Sequence, residues 1–245
     1  ELGWLDSGGY AGAIVLTVVL FWDIDGTLLS TARAGVFAWE GAIREVLGSD
    51  RSLDSFPTAG LTDAEIAGKL AKECGAGLDR VVPTLRRYEE LLPSCLPMRT
   101  GHALPNVVKI LDHIKSFPDV VSIPLTGNTA IGAQAKLTHY GLSGYFDGGA
   151  FSEDGDDRAT IARRALDLAR SRHGDVRAED TYVIGDTPKD IACGKVISAR
   201  TVAVATGVYT LDELVEYDPW WAIEQLPEPD EFFSKVMPTS VAGNR

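Results

Sequence analysis

The stretch Val18 to Leu29, VVLFWDIDGTLL, constrains this chain more than any other. An apolar, β-branched run from Ile14 to Trp22 predicts a strand buried on both faces, and it stops abruptly at Asp23 and Asp25. Buried strands avoid uncompensated carboxylates. Two of them one residue apart at a strand's end, followed by glycine and a hydroxyl, therefore mark a candidate site. Asp-Gly alone is common turn chemistry, whereas the full string Asp-Ile-Asp-Gly-Thr-Leu is far more specific.

The rest of the chain tells what surrounds that strand. Glycine-rich residues 1–12 read as a loose lead-in. Between Ala34 and Leu47, Val36, Trp39, Ile43, Val46 and Leu47 recur at helical spacing, with Gly48 as the stop. Helices over Asp63–Cys74 and Arg80–Leu92 follow, with no strand pattern among them. Residues 31–100 thus form a helical module of their own, closed by a Pro93 and Pro97 linker, and residues 1–30 and 101–245 form the core. In the core, strand and helix alternate. A helix opens at Pro105, Val120–Leu125 is a second buried strand ending in Thr126-Gly127-Asn128-Thr129, and a helix runs from Ile131 to Tyr140. A short strand near 145–151, an acidic loop and a helix from about Arg158 to Arg172 come next. Strand Thr181–Ile184 ends in Gly185-Asp186, helix Pro188–Ile197 follows, and a last strand spans Thr201–Ala205. This alternation predicts an α/β fold, a Rossmann-like parallel sheet with right-handed crossovers and helices on both faces. Ligands of such sheets bind at the carboxyl ends of the strands, where Asp23, Asp25, Thr126 and Asp186 all fall. The pair Trp220-Trp221 is expected to cover the sheet edge.

Composition narrows the partners. A formal net charge of -12 argues against nucleic acid, which is held mainly by lysine and arginine. The longest apolar stretch, Tyr10–Trp22, is shorter than the ~20 residues of a membrane span, and no basic residue precedes Arg33 to make a signal peptide. Cys74, Cys95 and Cys193 are scattered and odd in number, which fits free thiols in a reducing compartment. The expectation is a soluble cytoplasmic protein, monomeric or weakly dimeric.

Three motifs in order carry a resemblance. Asp23-Ile24-Asp25-Gly26-Thr27, Thr126 after an apolar strand, and Gly185-Asp186-Thr187-Pro188-Lys189-Asp190 are similar, over about residues 18–215, to those of the haloacid dehalogenase-like hydrolase superfamily in its phosphoglycolate-phosphatase-like branch. The helical module sits where that family inserts its α-helical cap. The resemblance implies an Mg2+-dependent phosphatase acting on a small phosphorylated metabolite. Asp23 would be the nucleophile, forming an aspartyl-phosphate, and Asp25 the general acid and then base. Thr126 would donate its hydroxyl to the phosphoryl group, with Gly127 and Asn128 beside it. Asp23, the backbone carbonyl of Asp25, and Asp186 would hold Mg2+, with Asp190 either supporting that site or capping its own helix at position N3. An aspartate at position 25 favours phosphate chemistry over carbon-halogen cleavage.

The sequence departs from the family's third motif, usually a lysine. Arg158 aligns there, and Lys136 is the only lysine between Thr126 and Asp186. Arg158 is expected to take the role, while Arg163 and Arg164 read as solvated charges. In the cap, Gly60-Leu61-Thr62-Asp63 resembles a segment that reaches into the active site, making Thr62 and Asp63 candidate substrate contacts. Lys69, Arg86 and Arg87 are candidate anion contacts. A phosphomutase, and a non-catalytic phosphate-binding protein on the same fold, are the alternatives.

Overall fold

The computed structural model describes residues 17–153 and 156–237. The predicted lead-in, the beginning of the first strand's apolar run and part of the acidic loop lie outside them. A six-stranded sheet of order β5-β4-β1-β6-β7-β8 forms the centre, every pairing parallel. Its strands are β1 Val18–Trp22, β4 Val120–Thr129, β5 Ala150–Ser152, β6 Thr181–Gly185, β7 Arg200–Val204 and β8 Trp221–Ile223. A two-stranded antiparallel ribbon, β2 Leu29–Ser30 with β3 His102–Ala103, stands where the chain leaves and re-enters the sheet region.

The period of two in β1 divides the core. Val18, Leu20 and Trp22 face one side, packing with α4 Val107–Ile114, α5 Ala130–His139 and α9 Pro229–Val236. Val19 and Phe21 face the other, against α6 Arg158–His173 and α7 Pro188–Val196. α8 Leu211–Val215 closes the β7 end. No helix among the described residues is long and apolar enough to cross a membrane.

The helices α1 Gly35–Ala42, α2 Asp63–Glu73 and α3 Val81–Cys95 share a separate apolar cluster that includes Trp39, Ile66, Leu70, Leu85, Tyr88 and Leu92. Trp39 and Tyr88 stack at its centre, ring centroids 3.8 Å apart. α1 widens into a π-type turn over Ile43–Leu47 and stops at Gly48, as expected of a glycine with φ of 67°. Between β2 and α1, Ala32 and Arg33 take positive φ, 48° and 65°, which side chains resist. The Arg33 guanidinium offsets this by donating to the carbonyls of Leu53 and Asp54.

The structure corrects four readings. Helix α3 runs through Pro93 to Cys95, so Pro93 is no linker. Leu92, Cys95 and Leu96 are buried in one cluster, and their packing outweighs the backbone bond that proline forfeits. The second buried strand does not stop at Leu125 but continues through Thr126 to Thr129, with Thr129 paired to Ser152. Trp221 does not cover the sheet edge: it is the first residue of edge strand β8. Arg164 is no solvated charge, since it binds Glu153, Asp156 and the Phe151 carbonyl and so braces the acidic loop.

Candidate active site

Parallel strands deliver their carboxyl ends to one side of the sheet, and there the residues following β1, β4, β6 and β7 meet. The backbone N–H of Asp23 donates to the Ile184 carbonyl at 2.9 Å, carrying the ladder one residue past β1. Alternation then puts Asp23 on the Phe21 side of the sheet, where α6 and α7 begin with Arg158 and Pro188. Asp157 and Thr187 cap α6 and α7, whose first turns bring Arg158 and Asp190 to Asp23, while Thr129 and Thr62 cap α5 and α2, which meet each other through the Asp63 side chain.

The electrostatics of the centre are those of crowded anions. Carboxylate oxygens of Asp23, Asp186 and Asp190 lie within 4.8 Å of one another, all buried. Burial, with the negative charge of Asp190, pushes the Asp23 carboxyl up to about 7. Burial and the charges of Asp23 and Asp190 raise Asp186 well above the usual carboxylate range. Arg158 is the cation that answers them. It is 8% exposed, its guanidinium pairs with Asp190 and stands 3.7 Å from Asp23. Asp190 is saturated, because its Oδ2 accepts from the backbone N–H and hydroxyl of Thr187 while Oδ1 faces Arg158. The N3 capping role and the link to the acidic centre therefore coexist in one side chain.

Asp186 is held differently. The Thr27 hydroxyl donates to its Oδ1 at 3.2 Å, and two glycines make room for the rest. A Cβ at Gly26, whose φ is 85°, or at Gly207 would collide with the Asp186 carboxylate. An all-oxygen set of buried carboxylates with one guanidinium among them could hold a hard divalent cation.

A cavity of about 330 Å³ opens over these groups. Asp23, Asp25, Gly127, Asn128, Lys136, Arg158 and Asp186 line its sheet side, and Arg33, Val36, Trp39, Leu61, Asp63, Ile66 and Tyr88 its helical side. Thr62, Thr126 and Asp190 stand behind this wall. The Thr62 hydroxyl is spent on the capping box of α2, accepting from the Glu65 N–H at 3.1 Å. Thr126 is fully buried and accepts from the Asn128 side chain at 2.8 Å. Asp63 crosses from the helical unit to the sheet, its Oδ2 accepting from the Thr129 N–H. Of the anion contacts expected on the cap helices, Arg87 is occupied by Glu45 and Glu90 and none is on the cavity wall.

One residue of the site was not foreseen. Lys136 is 6% exposed, and its Nζ donates to Asp25 Oδ2 at 2.6 Å and to Asn128 Oδ1 at 2.5 Å. Burial alone would lower its pKa, but the charges of Asp25, Tyr88 and Asp63 hold it above the ordinary lysine value. The signal was its spacing: Gly132, Ala133, Lys136 and Leu137 form the buried face of α5, and Lys136 is the one charge on it.

This arrangement has counterparts. The model of the haloacid dehalogenase-like hydrolases matches residues 20–195, and the chain belongs to that family. It is 28% identical over 217 residues, 86% of this chain and 90% of the relative, to a protein of Dickeya dadantii (strain 3937) described as "Probable phosphatase IndB". Its fold is that of a predicted phosphatase from Clostridium acetobutylicum, with a TM-score of 0.67 at 16% identity over 90% of this chain and 98% of that one. CbbY from Rhodobacter sphaeroides, solved in complex with phosphate, matches with a TM-score of 0.65 at 16% identity, over 79% of this chain and 88% of that one.

Proposed function

We propose that the chain is an Mg2+-dependent phosphatase that hydrolyses a small phosphate monoester in two steps through Asp23. The observation that carries this reading is the place of Asp23: a buried carboxylate on the wall of a cavity, beside a guanidinium. A carboxylate oxygen of Asp23 attacks phosphorus in line, the phosphorus–oxygen bond to the leaving alcohol breaks, and Asp25 supplies that alcohol's proton. Asp25 then takes a proton from water as it attacks the acyl-phosphate, and phosphate leaves with Asp23 restored. Arg158 neutralises phosphoryl charge and keeps Asp23 and Asp190 in place. Asp23, the Asp25 carbonyl and Asp186 would hold Mg2+, with Asp190 supporting them through Arg158; the bound cation supplies charge neutralisation at the phosphoryl oxygens.

Residues 31–100 serve in this reading as the cap, which excludes water and shapes the pocket for the leaving group. The capped enzyme works on a metabolite in the cytoplasm, in line with its unpaired cysteines and acidic surface. Hydrolysis of an aryl phosphate with and without Mg2+, in wild type and in Asp23→Asn and Asp25→Asn, tests the scheme. Metal-dependent release of phosphate lost in both variants is the expected result. Activity that survives Asp23→Asn would overturn the covalent mechanism, and transfer to a second sugar hydroxyl without phosphate release would make the protein a mutase.

A further inference from the structure

Asp25 can serve as acid and base only if its carboxylate stays aimed at the leaving oxygen, yet its side chain is 41% exposed and lies beyond the regular strand. Two donors converge on its Oδ2 and leave Oδ1 outside their grip: Lys136 Nζ at 2.6 Å and Asn128 Nδ2 at 2.8 Å. The Asn128 amide is itself directed. Its NH2 group donates to Asp25 Oδ2 and to Thr126 Oγ1, and its Oδ1 accepts from Lys136. Were the amide turned end for end, its NH2 would face an ammonium, a donor against three donors, and its oxygen would face a carboxylate. Lys136 thereby fixes which way Asn128 points. Asn128 also donates to Thr126 Oγ1 at 2.8 Å, a third contact that holds the amide in this orientation. One ammonium thus holds one end of a network of Lys136, Asn128, Thr126 and Asp25.

We propose that Lys136 is a positioning residue for the reaction: with Asn128 it clamps Oδ2 of Asp25 so that Oδ1 meets the leaving oxygen. This rests on the phosphatase reading above. It is more than a generic buried ion pair, because α5 could seat an apolar side chain between Ala133 and Leu137 at less desolvation cost. In the first step, transfer of the phosphoryl group to Asp23, the clamp matters only where a proton must be delivered to the leaving oxygen; in the second, where Asp25 is the base, it matters for every ester alike. A nitrophenolate departs without a proton, whereas an alkoxide does not.

The test compares p-nitrophenyl phosphate with a simple alkyl phosphate in wild type, Lys136→Met and Asn128→Ala, each verified as folded by circular dichroism and thermal melting. Because kcat/KM reports phosphoryl transfer to Asp23 apart from the later hydrolysis, both variants are expected to lose on the order of 100-fold in kcat/KM on the alkyl ester and less than about 5-fold on the aryl ester. If Lys136→Met does not fold, the same split in Asn128→Ala, which keeps the lysine, decides the matter. Equal losses in kcat/KM on the two esters, or no loss on either, would overturn the clamp while leaving the phosphatase reading intact. Wild type that hydrolyses neither ester would overturn both.

Discussion

The Oδ2 atom of Asp63 accepts a hydrogen bond of 2.8 Å from the backbone N–H of Thr129, joining the first residue of α2 to the N-cap of α5. The helical unit and the sheet are thus tied by a buried charge, and the tie is pH-sensitive. Burial pushes the Asp63 carboxyl up to about 6 from an ordinary 3.8, although Lys136 and the Thr129 bond pull the other way. Between these values the folded protein binds more protons than the unfolded chain, so this group's contribution makes stability fall as pH rises from about 4 to about 6, then level off. The full effect is up to about 3 kcal/mol. Asp63→Asn, which keeps the acceptor and drops the charge, is expected to gain stability over wild type progressively across that window. Urea titrations at pH 4.5, 5.5 and 7 measure it, and a difference that stays constant refutes the assignment.

Cation binding should relieve the crowding at Asp23 and Asp186. With the Asp23 carboxyl near 7, protons compete with the metal below that pH and yield to it above. Thermal melting with and without Mg2+ is therefore expected to show stabilisation that grows from pH 6 to pH 8, about 2.7 kcal/mol when Mg2+ is at 100 times its Kd. Asp186→Asn should abolish the response. An equal response in that variant would place the cation elsewhere.

Arg158 contacts two carboxylates with separate guanidinium nitrogens, a reach that a lysine does not reproduce. Arg158→Lys is predicted to fold and to lose on the order of 10- to 100-fold in kcat. Arg158→Ala leaves Asp190 and Asp23 without their buried countercharge and is expected to cost about 3–5 kcal/mol in stability. Parallel kinetics and melting of the two variants check the ordering, and wild-type turnover in Arg158→Lys would contradict it.

Gly207 makes a sharper test of the acidic centre. Its missing Cβ leaves the space that the Asp186 carboxylate fills, and it is remote from Asp23 in sequence. Gly207→Ala is expected to weaken Mg2+ affinity at least about 10-fold, as Asp186 is pushed off its position, while leaving the far-UV spectrum unchanged. Isothermal titration with Mg2+ reads this directly.

Much of this site was legible because it depends on chain order. Asp23, Asp25 and Asp186 announce themselves by interrupting apolar strands, and a parallel sheet must bring such ends together. Arg158 was found because it aligns with the third motif of the family the chain resembles, where that family usually carries a lysine. Lys136 escaped for the opposite reason. Periodicity arguments assign lysine to water, and only the three-dimensional arrangement of Asp25, Asn128 and Asp63 makes a buried ammonium affordable on α5. The extension of β4 to Thr129 and the survival of α3 past Pro93 were illegible likewise, since both are set by what they pack against. Helix α9 carried no motif, though Phe232 and Phe233 make it part of the core.

The central sheet ends on both sides in strands of three residues, β5 and β8. A free strand edge is a template for another chain, and its power to recruit grows with the length of unpaired backbone it displays. Here the long strands β4, β1 and β6 lie inside, and the borders expose too few amides to seed a foreign strand. Trp221 further burdens the β8 border with its indole, packed against Phe232. Among the described residues, these short borders thus leave the sheet little edge along which a second copy could add a strand, a colloidal consequence independent of the chemistry at its centre.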